Sequence, residues 1–364
     1  MKMLVLCTTD SMIWNFLVPH IKRFEREGCI VHCAASVTGS YFEELQNMGL
    51  IMHEIPFKRS PYHLQNFKAY KLLCSLVKME EYDMIFCHEP VGGAFGRIVG
   101  RKFGCKVVYM AHGFHFYKGA PIINNMVYFP VEKFLSRWTD LLITINHEDY
   151  EASKKFYAKD ILHVNGIGVD TSRFQAREAH YFEKQFNLSK DSIKLLSVGE
   201  LIERKNHITI IEAMKSFRNQ NVHYFIAGEG ELMDILKHRV QEYGLESQVH
   251  FLGFCRNISE LCNSCDIFVF PSLQEGLSLA LMEAMSCEKA VIASRIRGNI
   301  DLIEDKKGGL LIDTYDVSAY KEAICTLINN KKMETEMGIV NKINVLKYDI
   351  KAIEEILVNN LLKK

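Results

Sequence analysis

The stretch Asp266-Ile-Phe-Val-Phe270-Pro-Ser-Leu-Gln-Glu275-Gly-Leu-Ser-Leu-Ala-Leu-Met-Glu283-Ala-Met285 decides how this chain is read. Asp266 to Phe270 is a short apolar run with the signature of a buried strand. Pro271, Ser272 and Gly276 mark a turn after it. Leu277, Leu279, Ala280, Leu281, Ala284 and Met285 then predict a helix lined by apolar residues. Glu275 falls in the loop before that helix and Glu283 about two turns into it. Eight residues of helical rise span roughly 12 Å. Between the carboxylates lies a helix N-terminus, which favours an anion. This geometry suits a long ligand with hydroxyls at each end and a diphosphate between, the shape of a nucleotide-sugar. Taken singly, each glutamate reads equally well as a solvated charge in a first helical turn.

Outward from this stretch, short apolar strands alternate with longer helical patterns. Met3–Cys7, Cys29–Ala34, Met84–Cys87, Lys106–Met110 and Leu141–Ile145 are the expected strands of a first unit. Lys194–Val198, His223–Ala227, Val249–Leu252, Ile267–Phe270 and Ala290–Ala293 are those of a second. Helical patterns such as Leu17–Glu27, Ala69–Met79, Ile208–Phe217 and Leu232–Tyr243 lie between them. The alternation predicts an α/β protein with two Rossmann-like, doubly wound parallel sheets. The expected division is 1–170, a polar linker at 171–192, a second domain at 193–345, and a terminal helical segment at 346–364.

Composition narrows the class. The 364 residues are 48% hydrophobic and 24% charged, which is ordinary for a globular protein of two domains. Lys plus Arg and Asp plus Glu both number 44, so a nucleic-acid partner is not expected. Eleven unpatterned cysteines and no secretory leader predict a cytoplasmic setting. Cys262-Asn-Ser-Cys265 has no second pair and reads as packing rather than metal binding. No run reaches the ~20 apolar residues of a membrane span. The dinucleotide fingerprint fails both at Cys7–Met12 and after Gly228-Glu-Gly230, where a third glycine is replaced by Met233.

Glu275-(x)7-Glu283 resembles the E-x7-E signature of retaining glycosyltransferases of the GT-B class, family four. The resemblance extends along nearly the whole chain. Gly199-Glu-Leu-Ile-Glu-Arg204-Lys205-Asn206 is similar to the family's Gly-Arg-Leu-x3-Lys-Gly loop, with Glu200 in place of its arginine and Asn206 in place of its second glycine. Lys205 matches the family lysine, and Arg204 beside it is the expected substitute cation. Gly228-Glu-Gly230-Glu-Leu resembles a turn whose glycines admit close backbone approach to the ligand. Val249 to Phe254 resembles the loop that cups the nucleobase, which assigns Phe254 and Arg256 to base recognition. Glu275 would hold donor-sugar hydroxyls, Gly276, Leu277, Ser278 and Leu279 would face the diphosphate, and Glu283 would take the ribose hydroxyls. Arg297-Gly-Asn-Ile-Asp301 departs from the family's Gly-Gly-x-x-Glu, outside the implied donor contacts.

In the first unit, Met110-Ala-His112-Gly-Phe-His115 resembles the family's strand-end histidine, which places His112 beside the donor sugar. Cys87-His88-Glu89-Pro90 resembles a His-x-Pro turn of polysaccharide-assembling members. On that basis His88, His115, Asp10 and Ser11 are expected to face the acceptor. The resemblance implies a GT-B fold with two domains facing a central cleft and a C-terminal helix crossing back. It implies metal-independent transfer from a UDP-sugar substrate, without a cofactor, to a polyprenyl-diphosphate-linked glycan. The basic-aromatic stretches 57–71 and 117–138 predict peripheral contact with an anionic membrane surface. A UDP-sugar 2-epimerase and a non-catalytic assembly subunit are the rival readings.

Overall fold

The computed structural model describes residues 1–363. The chain divides into two compact units, Met1–Ile167 together with Ala352 onward, and Gly168–Lys351.

The first unit contains β1 (Lys2–Thr9), β2 (Ile30–Ser36), β3 (Ile51–Glu54), β4 (Met84–His88), β5 (Lys106–Ala111), β6 (Leu141–Thr144) and β7 (Asp160–His163). They form one parallel sheet in the order β3-β2-β1-β4-β5-β6-β7. β1 is buried on both faces from Met3 onward, as its unbroken apolar run requires in a sheet covered on both sides. The chain starts leftwards from β1 and then reverses through β4. Strand order therefore switches between β1 and β4, and their pairing ends at Leu6 and Cys87. Beyond that point the two strands part. In open parallel sheets, ligands bind at such a switch point, outside the carboxyl ends of the strands.

The second unit holds β8 (Ile193–Val198), β9 (Val222–Ala227), β10 (Val249–Gly253), β11 (Ile267–Phe270), β12 (Ala290–Ser294) and β13 (Gly309–Ile312), in the order β10-β9-β8-β11-β12-β13. Its switch point lies between β8 and β11. Alternate strand residues feed two separate cores. Leu196, Phe225, Phe268 and Val291 enter one, while Leu195, Ile226, Ile267 and Ile292 enter the other. This is the period of two expected for a sheet with helices on both faces.

The two doubly wound parallel sheets confirm the expected fold class. Two details differ. The stretch 171–192 is not a linker: Phe174 and Phe182 are buried in the second unit's core. The Phe182 ring stacks on Phe225 at 3.9 Å between centroids. β3, β7 and β13 escape the sequence pattern because they are four-residue edge strands with incomplete burial. The terminal helix, Ile350–Leu361, starts in the second unit and is assigned to the first from Ala352. There Arg23 pairs with Glu355, and Lys106 Nζ donates to the Leu361 carbonyl.

Candidate active site

In the second unit the expected donor residues that follow β8 and β11 gather at the switch point. After β8 the chain runs through Gly199 into a short 3-10 turn, Glu203–Lys205. After β11 it runs through Pro271 to Gly276 before the helix Leu279–Ser286. These loops are stitched together. The Leu273 N–H donates to the Arg204 carbonyl at 2.8 Å. Arg204 Nη1 donates to the Gln274 carbonyl at 2.9 Å and to Glu275 Oε1 at 3.0 Å. Lys205 Nζ donates to the same Oε1 at 2.7 Å.

Burial alone would raise the Glu275 carboxyl, but Lys205 and Arg204 hold it below its usual range. A carboxylate and two cations therefore share one point, with Glu275 ionised at neutral pH. Lys205 packs its stem on Gly199, where a Cβ would meet Lys205 Cε at 3.2 Å. Asn206 adopts the left-handed conformation at φ 53°, which explains why asparagine can stand where the family has glycine. Its amide donates to the carbonyls of Pro271 and Thr314, both at 3.2 Å. Glu200 itself is exposed.

Ser278 is the N-cap of the Leu279–Ser286 helix, its hydroxyl accepting from the Leu281 N–H at 3.3 Å. The helix starts two residues later than Leu277, so Glu283 sits little more than one turn in. Burial pushes the Glu283 carboxyl up to about 8, against the lowering pull of Arg173. Arg173 comes from the stretch expected to be a linker, so its place near Glu283 had no sequence signal. Arg297, which the sequence reading set outside the donor contacts, stands directly behind Glu275. It is buried, and its Nε donates to the Glu275 carbonyl at 3.2 Å.

The glycine turn after β9 makes a close contact within the protein itself. A Cβ on Gly228 would lie 1.9 Å from the Gly199 carbonyl oxygen, and one on Gly230 would lie 2.5 Å from that of Leu201. These glycines let two protein loops approach each other. Phe254 is 57% exposed, so it is not a core residue. The Arg256 carbonyl accepts from Arg173 Nη2 at 3.4 Å.

In the first unit His112 stands just past β5, half-buried, with His88 Nδ1 at 2.9 Å from its Nε2. Burial, helped by nearby His20, pushes His112 down to about 3. His88 is likewise held well below its usual range by burial, His112 and His20. Both rings are neutral at physiological pH, so His112 acts as a hydrogen-bonding group and not as a cation.

Two of the acceptor assignments, His88 and Asp10, need correction. His88 has no exposed surface, so it meets His112 rather than an acceptor. Asp10 is equally buried and spends its carboxylate on the Thr38 N–H and hydroxyl and on the Ser11 N–H. The Ser11 hydroxyl donates to Thr9 Oγ1 at 3.0 Å. His115 is half-buried against Tyr128 at 4.9 Å.

Residues 180–342 match the family of glycosyl transferases group 1, and residues 2–146 match the glycosyl transferase 4-like family. The Bacillus subtilis (strain 168) protein EpsD is 34% identical over 97% of this chain and 94% of its own length. This chain belongs to the glycosyltransferases of group 1. An Escherichia coli relative, UDP-Gal:alpha-D-GlcNAc-diphosphoundecaprenol alpha-1,3-galactosyltransferase, is 31% identical over 78% of this chain and 77% of that protein. Among solved structures, Anabaena Alr3699/HepE in complex with UDP aligns over the full length of both chains with a TM-score of 0.84 at 18% identity. That likeness speaks for the shared GT-B fold of this glycosyltransferase.

Proposed function

We propose that this glycosyltransferase moves a hexose or N-acetylhexosamine from a UDP-sugar to a hydroxyl of an undecaprenyl-diphosphate-linked glycan, with retention of configuration. The pathway is bacterial surface polysaccharide synthesis. The observation that carries the reading is the ionised Glu275 carboxylate gripped by Lys205 and Arg204, directly before the helix that bears Glu283. Glu275 accepts hydrogen bonds from sugar hydroxyls. Lys205, Arg204 and the N-terminus of the Leu279–Ser286 helix take up negative charge as the diphosphate leaves. Glu283 binds the ribose hydroxyls, and the exposed Phe254 ring stacks on the base. The departing phosphate oxygen accepts the acceptor proton on the same face of the sugar, and no divalent cation takes part. The UDP complexed with the Anabaena protein and the lipid-linked acceptor in the E. coli relative's name support this choice of substrates.

The acceptor's lipid calls for a membrane surface. Among the described residues no helix is long and apolar enough to cross a membrane. The first unit exposes Tyr62, Leu64, Phe67, Ile122, Ile123, Met126 and Phe134 in the two basic-aromatic stretches. We place this unit peripherally on the cytoplasmic face of an anionic bilayer.

NMR of the purified protein in EDTA, with a panel of UDP-, GDP- and ADP-sugars, tests the reading. Slow release of UDP from one sugar is expected, lost in Lys205→Ala and Glu275→Ala. Conversion of a UDP-sugar to its epimer, or a folded protein inert with every donor and acceptor, would overturn it.

A further inference from the structure

Glu89 follows β4 at the switch point of the first unit, the position that Glu275 occupies beyond β11 in the second. Its backbone lies at φ 59° and ψ 161°, a region essentially reserved for glycine. The following Pro90 restricts it further. A glutamate held there is strained, and the conformation aims its side chain across the opening between β1 and β4. Glu89 Oε2 accepts from the Thr8 N–H at 2.8 Å and from the Thr9 N–H at 3.2 Å. These are the amides left without β4 partners where the strands part. The carboxylate remains half-buried rather than sealed.

We propose that Glu89 is the acceptor-side carboxylate of this enzyme, a subsite that takes hydrogen bonds from the hydroxyls of a glycan acceptor. The inference rests on the transferase reading above. It replaces Asp10 and His88, which are closed off, with a carboxylate that keeps access to solvent. Strain of this kind clusters at ligand-binding positions, and a mere cap for two amides would not need it. Nor would a cap need a charge, since any side-chain oxygen accepts an N–H. Burial raises the Glu89 carboxyl, against the Thr8 and Thr9 amides and Arg59. The charged or titratable groups facing it are few. Arg59, in the exposed loop after β3, acts on it through its charge. The Cys7 thiol of β1 is held protonated by burial and by Glu89 itself. His88 turns its ring to His112.

Glu89→Gln tests the proposal, because the amide oxygen can still accept from Thr8 and Thr9 and the fold is retained. Hydrolysis of the UDP-sugar by water, in the absence of acceptor, is the internal control. Transfer is measured to methyl glycosides of common hexoses and N-acetylhexosamines and to GlcNAc diphosphate on a short lipid. Glu89→Gln is expected to hydrolyse donor within about threefold of wild type. Its kcat/KM for the acceptor falls by about 10- to 10²-fold, the scale of one hydrogen bond to a charged group. The acid limb of the transfer profile disappears with it. Glu89→Gly, whose backbone suits this conformation, is expected to remain folded and to show the same loss. Transfer at the wild-type rate in both variants would overturn the subsite while leaving the glycosyltransferase intact. Wild-type protein that consumes no UDP-sugar would instead remove the reading on which the subsite depends.

Discussion

Lys205 and Glu283 carry the sharpest consequences at the scale of single residues. Lys205 is the cation closest to Glu275, and its stem is fixed against Gly199. Lys205→Ala is expected to lower donor turnover by ~10²–10³, the cost of removing one preorganised electrostatic contact. A coupled assay for UDP release reads this directly. Glu283 behaves in the opposite way to Glu275. Its carboxyl titrates at about 8 because burial opposes the charge. The folded state thus binds a proton that the unfolded chain has released, so this group's stabilisation is full below an unfolded value near 4.3 and is lost as pH rises towards 8. Glu283→Gln is expected to gain thermal stability over wild type between pH 6 and 9, the gap widening with pH. Calorimetry across that range would show it. The same variant is expected to bind UDP more weakly above pH 8, where wild-type Glu283 is ionised and offers the ribose hydroxyls two acceptor oxygens in place of the amide's one.

At the scale of elements, the loops beyond β8, β9 and β11 act as one assembly. Gly228 sits under the Gly199 carbonyl with φ 153° and no room for a methyl group. Gly228→Ala is expected to destabilise the second unit by ~1–3 kcal/mol through backbone strain and displacement of the loop that carries Lys205. Urea unfolding and UDP release should both register it. Ser278→Ala removes the cap of the Leu279–Ser286 helix, for an expected ~1 kcal/mol in the same unfolding experiment. The sequence pattern located these elements well where they are central and buried, as in β1, β8 and β11. It missed β3, β7 and β13, because a short edge strand lacks the two-sided burial that writes an apolar run. It also took 171–192 for a linker, since Phe174 and Phe182 are isolated aromatics in a charged stretch. Only their contacts reveal them as core.

At the scale of the whole molecule, buried neutral histidines set the response to acid. His20 is lowered to about 4 and His112 to about 3 in the first unit, and His207 to about 4 in the second, burial being the main cause in each. Their folded values lie below the unfolded value near 6.5, so the stabilisation they give is complete above pH ~6.5 and is lost as pH falls through the folded values. Each can contribute a slope of up to ~1.4 kcal/mol per pH unit in that window. The urea midpoint is therefore expected to fall clearly between pH 7 and pH 5.

The strand–helix alternation, the two sheets, the E-x7-E helix and the Lys205 loop were all legible in the sequence. They depend on local periodicity and turn chemistry, which neighbouring residues encode. The tertiary structure alone decided which groups meet. Arg204 reaches Glu275 across 71 positions, and Glu89 reaches Thr8 across 81. Such distant pairings set protonation, as burial does for Glu283 and the histidines. They also decide whether a polar side chain faces a ligand or, like His88 and Asp10, is used up inside the fold.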